Sequence, residues 1–441
     1  MKDDMRKYFI VRSWVVGLVV MVMLAAGTTA SAQFGNTDNA PARTGRGYEV
    51  SVNNPVFLIL PGMNEAPAPD WVKPGVRLTF FNVVAMVPKG DIADMLPDER
   101  GRWIDPNTGK TFSVQKNKGS YDEGYMQLDV LSLPGDAVAV AARGYSKDLM
   151  DGSIKPIFSG GFVALPGAGE DWWVNPDVLN QTVDHLQGPV VQSLRLREQA
   201  AGNEYDAVWI NTKTEGGYAS RTYDLDSGLT LNLRSSNTTK PDGMVNLNGE
   251  QLRVGGAAYL TEAKFVGMRQ VNVPWIGMPM PRTMEGVRQL VYEGEMTSTM
   301  LGNTIGTPMR MVIDVTGRGP NFIQMKRTIT FHPANGTPPP ESVSRIVGGV
   351  NQLLPLCVPP KALAQLRNGQ VIDKDPFTNV TTFVSFIGQD RSGNDVITLT
   401  EYINEKSVRY DVVYDANSGL MIASQLSVPQ LNMQVTLYLV Q

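Results

Sequence analysis

From Tyr48 onward the chain alternates short runs of aliphatic, aromatic and β-branched residues with clusters of turn formers. Val76 to Val84 (VRLTFFNVV), Tyr125 to Leu131 (YMQLDVL) and Ala137 to Ala141 (AVAVA) are of strand length, and Asp105 to Gly109 (DPNTG) has the make-up of a hairpin turn. The 43 Gly and 29 Pro are spread along the whole chain, which suits many turns and few long helices. The pattern predicts a mainly β protein with a few short helices.

One phrase occurs twice. Tyr223-Asp224-Leu225-Asp226-Ser227-Gly228-Leu229 returns as Tyr414-Asp415-Ala416-Asn417-Ser418-Gly419-Leu420, each copy between β-forming residues. Asp and Ser side chains cap a tight reversal and Gly takes φ > 0, so both copies are predicted to be β-hairpins, with Tyr223, Asp224, Gly228 and Tyr414, Asp415, Gly419 as landmarks. Four weaker echoes keep the same order. Gly75-Val76-Arg77 matches Gly286-Val287-Arg288, Gly160-Gly161 matches Gly348-Gly349, Val174 to Gln181 matches Val358 to Gln365, and Gly188-Pro189-Val190 matches Gly369-Gln370-Val371. Together they predict two tandem related β-rich domains, each a curved antiparallel sheet or half-barrel with a helix packed on it. The limits are 48–273 and 286–441, joined by a linker at 274–285 where Pro274, Pro279 and Pro281 interrupt any regular sheet. Asp91 to Gly124, rich in charge and turn residues, is the place for an excursion that the second copy lacks.

Helix signals are few. Asn175 before Pro176 is an N-cap followed by Pro at the first helical position, and Pro359-Pro360 stands at the matching place. Gly188 and Gly369 are expected just past the helix ends. Val343, Ile346, Val347, Val350 and Leu353 follow i, i+3, i+4, i+7 spacing and predict one further amphipathic helix.

The N-terminus changes the picture by giving an address. Lys2, Arg6, Lys7 and Arg12 precede an apolar stretch, Trp14 to Gly27, which is shorter than the ~20 residues a spanning helix needs. Ala30-Ser31-Ala32 then supplies small residues for cleavage between Ala32 and Gln33. Residues 1–32 are therefore expected to be a signal peptide and 33–47 a flexible leader. The mature chain, without a membrane span, is expected in the periplasm or outside the cell.

Charge and composition mainly exclude. The formal net charge is −4, and losing four basic and two acidic residues with the signal peptide makes the mature chain more acidic. That balance argues against nucleic acid, which needs a basic footprint. Cys357 is alone, so no internal disulfide can form, and its apolar setting (LLPLCV) suits a buried, inert thiol. With only His185 and His332, a zinc site built on several imidazoles is excluded. The two hairpin turns begin like a calcium loop but place Gly228 and Gly419 where an oxygen ligand is needed. No cofactor or metal is expected, and no G-x-S-x-G elbow, Walker loop or CxxC is present.

Asp171-Trp172-Trp173 is the candidate ligand-binding feature, because adjacent Trp rings can stack on a sugar or cover an apolar groove; the alternative is that they belong to the core. The curved-sheet-plus-helix layout resembles, at the level of fold alone, the half-barrels of periplasmic lipoprotein carriers. The expected function is an exported, non-enzymatic binding protein for an apolar or lipid-like ligand or an envelope protein. Met268, Met278, Met280 and Met284 would supply an adaptable wall. The alternatives are a carboxylate-dependent hydrolase acting on carbohydrate and a structural or assembly component of the cell envelope.

Overall fold

The computed structural model describes residues 42–43, 47–51, 65–88, 96–97, 103–104, 111–112, 120–147, 154–181, 191–214, 217–238, 243–247, 250–254, 257–300, 303–333, 341–403 and 408–440. The expected signal peptide with its Ala32–Gln33 cut, His185 and Gly188 lie outside these residues.

Two open antiparallel sheets follow one another along the chain, as the hydrophobic pattern predicts. The first is built from β1 (Val76–Pro88), β2 (Ser120–Ser132), β3 (Val138–Lys147), β4 (Ile154–Ala164), β5 (Val191–Ala200), β6 (Asn203–Thr214), β7 (Gly217–Asp224), β8 (Thr230–Thr238) and β9 (Ala257–Gln270). Its spatial order is β4-β3-β2-β1-β9-β8-β7-β6-β5. A single helical turn, α1 (Pro176–Leu179), interrupts the chain after the fourth strand. Between β1 and β2, the expected excursion carries a three-stranded sheet of two-residue strands at 96–97, 103–104 and 111–112.

The second sheet uses β10 (Gln289–Met300), β11 (Asn303–Gly319), β12 (Phe322–Phe331), β13 (Ser342–Gly349), β14 (Val371–Lys374), β15 (Thr381–Gln389), β16 (Asp395–Ile403), β17 (Val408–Asp415), β18 (Met421–Val428) and β19 (Met433–Leu439). The order is β13-β12-β11-β10-β19-β18-β17-β16-β15-β14, with α2 (Pro360–Leu363) again after the fourth strand. In both sheets the first strand pairs with the last, and the chain winds outward from that pair in the same way. The second sheet has one strand more, β14, at its far edge.

The YDxxSGL phrases form the β7–β8 and β17–β18 hairpins. Gly228 and Gly419 take φ of +71° and +76°, and each turn is seated against the segment entering the helix. Val174 N donates to Gly228 O at 2.9 Å, and Val358 N donates to Gly419 O at 2.8 Å. A Cβ on Gly228 would stand 1.7 Å from Val174 O, and one on Gly419 would stand 1.9 Å from Val358 O. Glycine is required there by conformation and by space.

Residues 342–349, expected as a helix, are instead the strand β13, paired with β12 from Ile329↔Ser342 to Phe322↔Gly349. The β-branched Val343, Ile346 and Val347 fit a pleated surface, and the free edge of β12 offers a full ladder; together these outweigh the local helical spacing. The helices are also shorter than the glycine positions suggested. α2 ends at Leu363, while Gly369, at φ +79°, belongs to the turn before β14.

Each sheet has an inner face covered by its helix-bearing segment. In the first, Leu78, Phe80, Met126, Leu128, Val140, Leu231 and Phe265 meet Val72, Trp172 and Trp173. In the second, Leu290, Tyr292, Met311, Ile397, Leu399 and Val412 meet Trp275, Met284, Leu353, Val358 and Leu363. Full burial of side chains of this size stabilises by roughly 1.5–3 kcal/mol each. The Pro-rich stretch 274–285 joins this second core. Trp275 is fully buried and its Nε1 donates to Gln352 O at 2.9 Å.

The outer face of the first sheet does not meet solvent where β1, β2 and β3 run. Arg77 and Asp129 form a buried two-bond pair at 2.6 and 2.8 Å, and Arg143 reaches Glu401 of β16 at 3.1 Å. Tyr145 and Ile154 pack with Ile403, Val408 and Val428 of the second sheet. Tyr48, Val50, Leu131 and Ala139 pack with Phe322 and Val347. The two units are therefore docked through a mixed apolar and ion-paired interface. In it the outer face of the first sheet meets inner-face residues Glu401, Ile403, Val408 and Val428 of the second, and also Phe322 and Val347 at its β12–β13 end.

Candidate functional site on the outer face of the second sheet

The Trp172-Trp173 pair lies in the first core. Trp172 is 4% exposed, with its ring 4.8 Å from Phe80, and Trp173 is 0% exposed. Trp173 Nε1 donates to Pro166 O at 2.9 Å, and its ring meets Trp71 edge-on at 5.9 Å. Asp171 is paired with the buried Arg221 of β7, which anchors the segment to the sheet. Neither indole presents a face to solvent.

The landmark residues of the two hairpins also turn inward. Tyr223 and Tyr414 are fully buried, and Tyr414 Oη donates to Pro355 O at 2.7 Å. Asp224 and Asp415 accept the backbone N–H of Ser227 and Ser418 at 3.0 and 2.6 Å, so their carboxylates cap the turns. Cys357 occupies the place that Trp173 has in the first unit: Cys357 bridges to Leu420 as Trp173 bridges to Leu229. Burial pushes its thiol up to about 12, which leaves it un-ionised at neutral pH. Among the described residues no three His, Cys, Asp or Glu side chains gather as a metal site.

The open feature lies on the opposite face of the second sheet, where strand register explains a hollow of about 270 Å³. One cross-strand row runs Phe386–Thr398–Val413–Ala423–Tyr438 over β15, β16, β17, β18 and β19. Its ends are aromatic and exposed (Phe386 44%, Tyr438 58%), while its middle is made of small side chains. Short side chains between tall ones leave a trough. At strand spacings of ~4.8 Å the row is about 19 Å long.

The next row makes the polar side of the trough: Thr400–Asp411–Gln425–Thr436. Asp411 accepts from Arg409 Nε at 2.9 Å and from the hydroxyl of Thr400, whose oxygen lies within hydrogen-bond distance of Ser385 Oγ at 2.7 Å. The carboxylate is thereby fixed and its charge balanced. A third row pairs Tyr402 with Arg409, whose guanidinium lies 5.9 Å from the Tyr402 ring; Phe383 stacks on that ring at 5.0 Å. Sequence reasoning missed this site. Its only local signal is an aromatic residue at a solvent-side position of a strand, as Phe386 and Tyr438 are.

No family model and no curated protein matches the chain. Solved structures similar to it include the MucA/MucB complex of Pseudomonas aeruginosa, 11% identical over 82% of this chain and 87% of that one, with a TM-score of 0.18. An outer-membrane lipoprotein-sorting protein domain from Vibrio parahaemolyticus is 7% identical over 48% of this chain and 88% of that one, with a TM-score of 0.15. A DUF1329 family protein from Desulfovibrio piger is 10% identical over 46% and 88%, with a TM-score of 0.13. Likenesses at this level carry no argument about function. Among the described residues no helix is long and apolar enough to cross a membrane.

Proposed function

We propose that the protein is an exported, non-enzymatic binding protein of the cell envelope, and that it engages its ligand through the outer face of the second sheet. The observation that carries this reading is the aromatic-ended trough between Phe386 and Tyr438, open to solvent across five strands. The apolar ligand expected between sheet and helix has little support there, because the described side chains of both units fill that space themselves. The trough also suits binding better than hydrolysis. Its one lining carboxylate, Asp411, is tied to Arg409 and Thr400. The next carboxylate along the same row, Glu295, is paired to Thr436 across β10 and β19. It stands three strand spacings from Asp411, about 14 Å, against the roughly 5–9.5 Å of a glycosidase pair.

The test is co-sedimentation of the purified protein with an isolated envelope fraction. The wild type is expected to pellet with that fraction, the Phe386→Ala/Tyr438→Ala variant to stay in the supernatant, and the fraction to release no new soluble product. Equal pelleting of the two proteins, or release of product, contradicts the proposal.

A further inference from the structure

Resting on that reading, we infer that the trough takes a neutral, extended glycan. Four features narrow the ligand class. From Thr398 to Ala423 the trough crosses strands that are paired on both sides, so a peptide strand could not add itself along it as it can at an edge. One side of the trough is polar: Gln425 and Thr436 offer amide and hydroxyl groups beside the fixed Asp411 carboxylate, and a lipid chain would leave these groups buried without partners.

Charge supplies the third feature. Arg409 and Asp411 pair at 2.8 Å and cancel. Beyond Tyr438 the next strand presents Glu295, the cross-strand partner of Thr436, and Glu293, the partner of Tyr438, whose charge is offset by Arg310 at 3.8 Å. A phosphate-rich or polyuronic chain would be repelled there, whereas neutral hydroxyls would find acceptors. The fourth feature is the aromatic surface. Phe386 and Tyr438 stand at the two ends of the trough, Phe383 stands in the next row opposite Thr400, and its ring partner Tyr402 in the third. Aromatic faces suit the C–H side of a pyranose ring, and hydroxyl-rich edges suit Asp411, Gln425 and Arg409. Separated aromatic ends favour a chain of rings over a single sugar.

The experiment is a titration of the full protein with chitohexaose, cellohexaose and maltohexaose, with polygalacturonate as the anionic comparison, read by isothermal calorimetry and by saturation-transfer NMR of the sugar. At least one neutral hexaose is expected to bind more tightly than polygalacturonate. Tyr438→Ala and Gln425→Ala, both checked for unchanged circular dichroism, are each expected to weaken that binding about tenfold, the order of loss when an interface anchor is truncated. Binding unchanged in both variants, or polygalacturonate bound as tightly as any neutral hexaose, overturns the inference. No binding of any hexaose also overturns it. If Phe386- and Tyr438-dependent co-sedimentation persists in that case, the binding face stands and only the glycan falls; if it is lost too, both fall.

Discussion

Arg269 of β9 holds Asp373 of β14 with two parallel hydrogen bonds of 2.7 and 2.6 Å. The same guanidinium reaches Asp375 at 2.8 and 3.1 Å, and Arg77 stands 3.8 Å from that carboxylate. The strand with no counterpart in the first sheet thus adds a docking contact of its own to those made by the other strands. Asp375 is 1% exposed and is also capped by the backbone N–H of Thr378 at 2.8 Å. Removing one partner of such a buried cluster leaves the others uncompensated and costs about 3–5 kcal/mol. Asp375→Ala is therefore expected to lower stability by about 3 kcal/mol in urea unfolding and to speed amide exchange in residues 371–384. A loss below about 1 kcal/mol, the level of an exposed pair, would show that the Asp375 cluster contributes little to holding the units together.

The two hairpin glycines give a paired prediction. Gly228→Ala and Gly419→Ala each place a methyl group against a carbonyl oxygen at a backbone conformation that L-residues rarely adopt. Each is expected to destabilise by more than about 1 kcal/mol, and by similar amounts, because the two turns are seated in the same way. Gly202, at φ +79° with open space around its Cβ position, is the control and should lose less. Denaturation midpoints of the three variants decide it; a Gly419→Ala protein as stable as the wild type contradicts the seating.

Glu170 predicts a dependence on pH. Burial, and then the charge of Asp171, push its carboxyl up to about 7 against an opposing hydrogen bond from Ser51. The folded state therefore keeps a proton that the unfolded chain has released, and stability falls as pH rises from the ordinary glutamate range towards 7. Glu170→Gln should melt higher than the wild type at pH 8, and the difference should close at pH 5. Thermal melts at both values check this, and a gap that widens towards pH 5 would reverse the assignment.

Much of the architecture could be read from the chain. Turn chemistry at Asp224-Ser227-Gly228 and Asp415-Ser418-Gly419 is local, so both hairpins were legible. β13 was not, because Val343, Ile346 and Val347 satisfy a helical period and a strand equally well, and only the open edge of β12 decides between them. The ion-paired interface was half visible: Arg77 and Asp129 each interrupt an apolar run, a hint of a partner on the far face. The trough was invisible for a physical reason. Its depth comes from Thr398, Val413 and Ala423 standing in one row between Phe386 and Tyr438, and that row exists only once five strands have settled into register. The Trp172-Trp173 pair illustrates the converse. Its residue types suit a binding face, but the seven-residue reach back from Trp173 Nε1 to Pro166 O and the Asp171–Arg221 pair turn both rings into the core.

The central claim is that the outer face of the second sheet meets the ligand. The most direct measurement is thiol labelling of Thr436→Cys in the trough, with Arg234→Cys on the exposed outer face of the first sheet as the comparison. Cys357 is 2% exposed and supplies little background. With a maleimide reagent, addition of an envelope fraction should slow labelling at position 436 several-fold and leave position 234 unchanged. Equal rates at position 436 with and without that fraction would contradict the account.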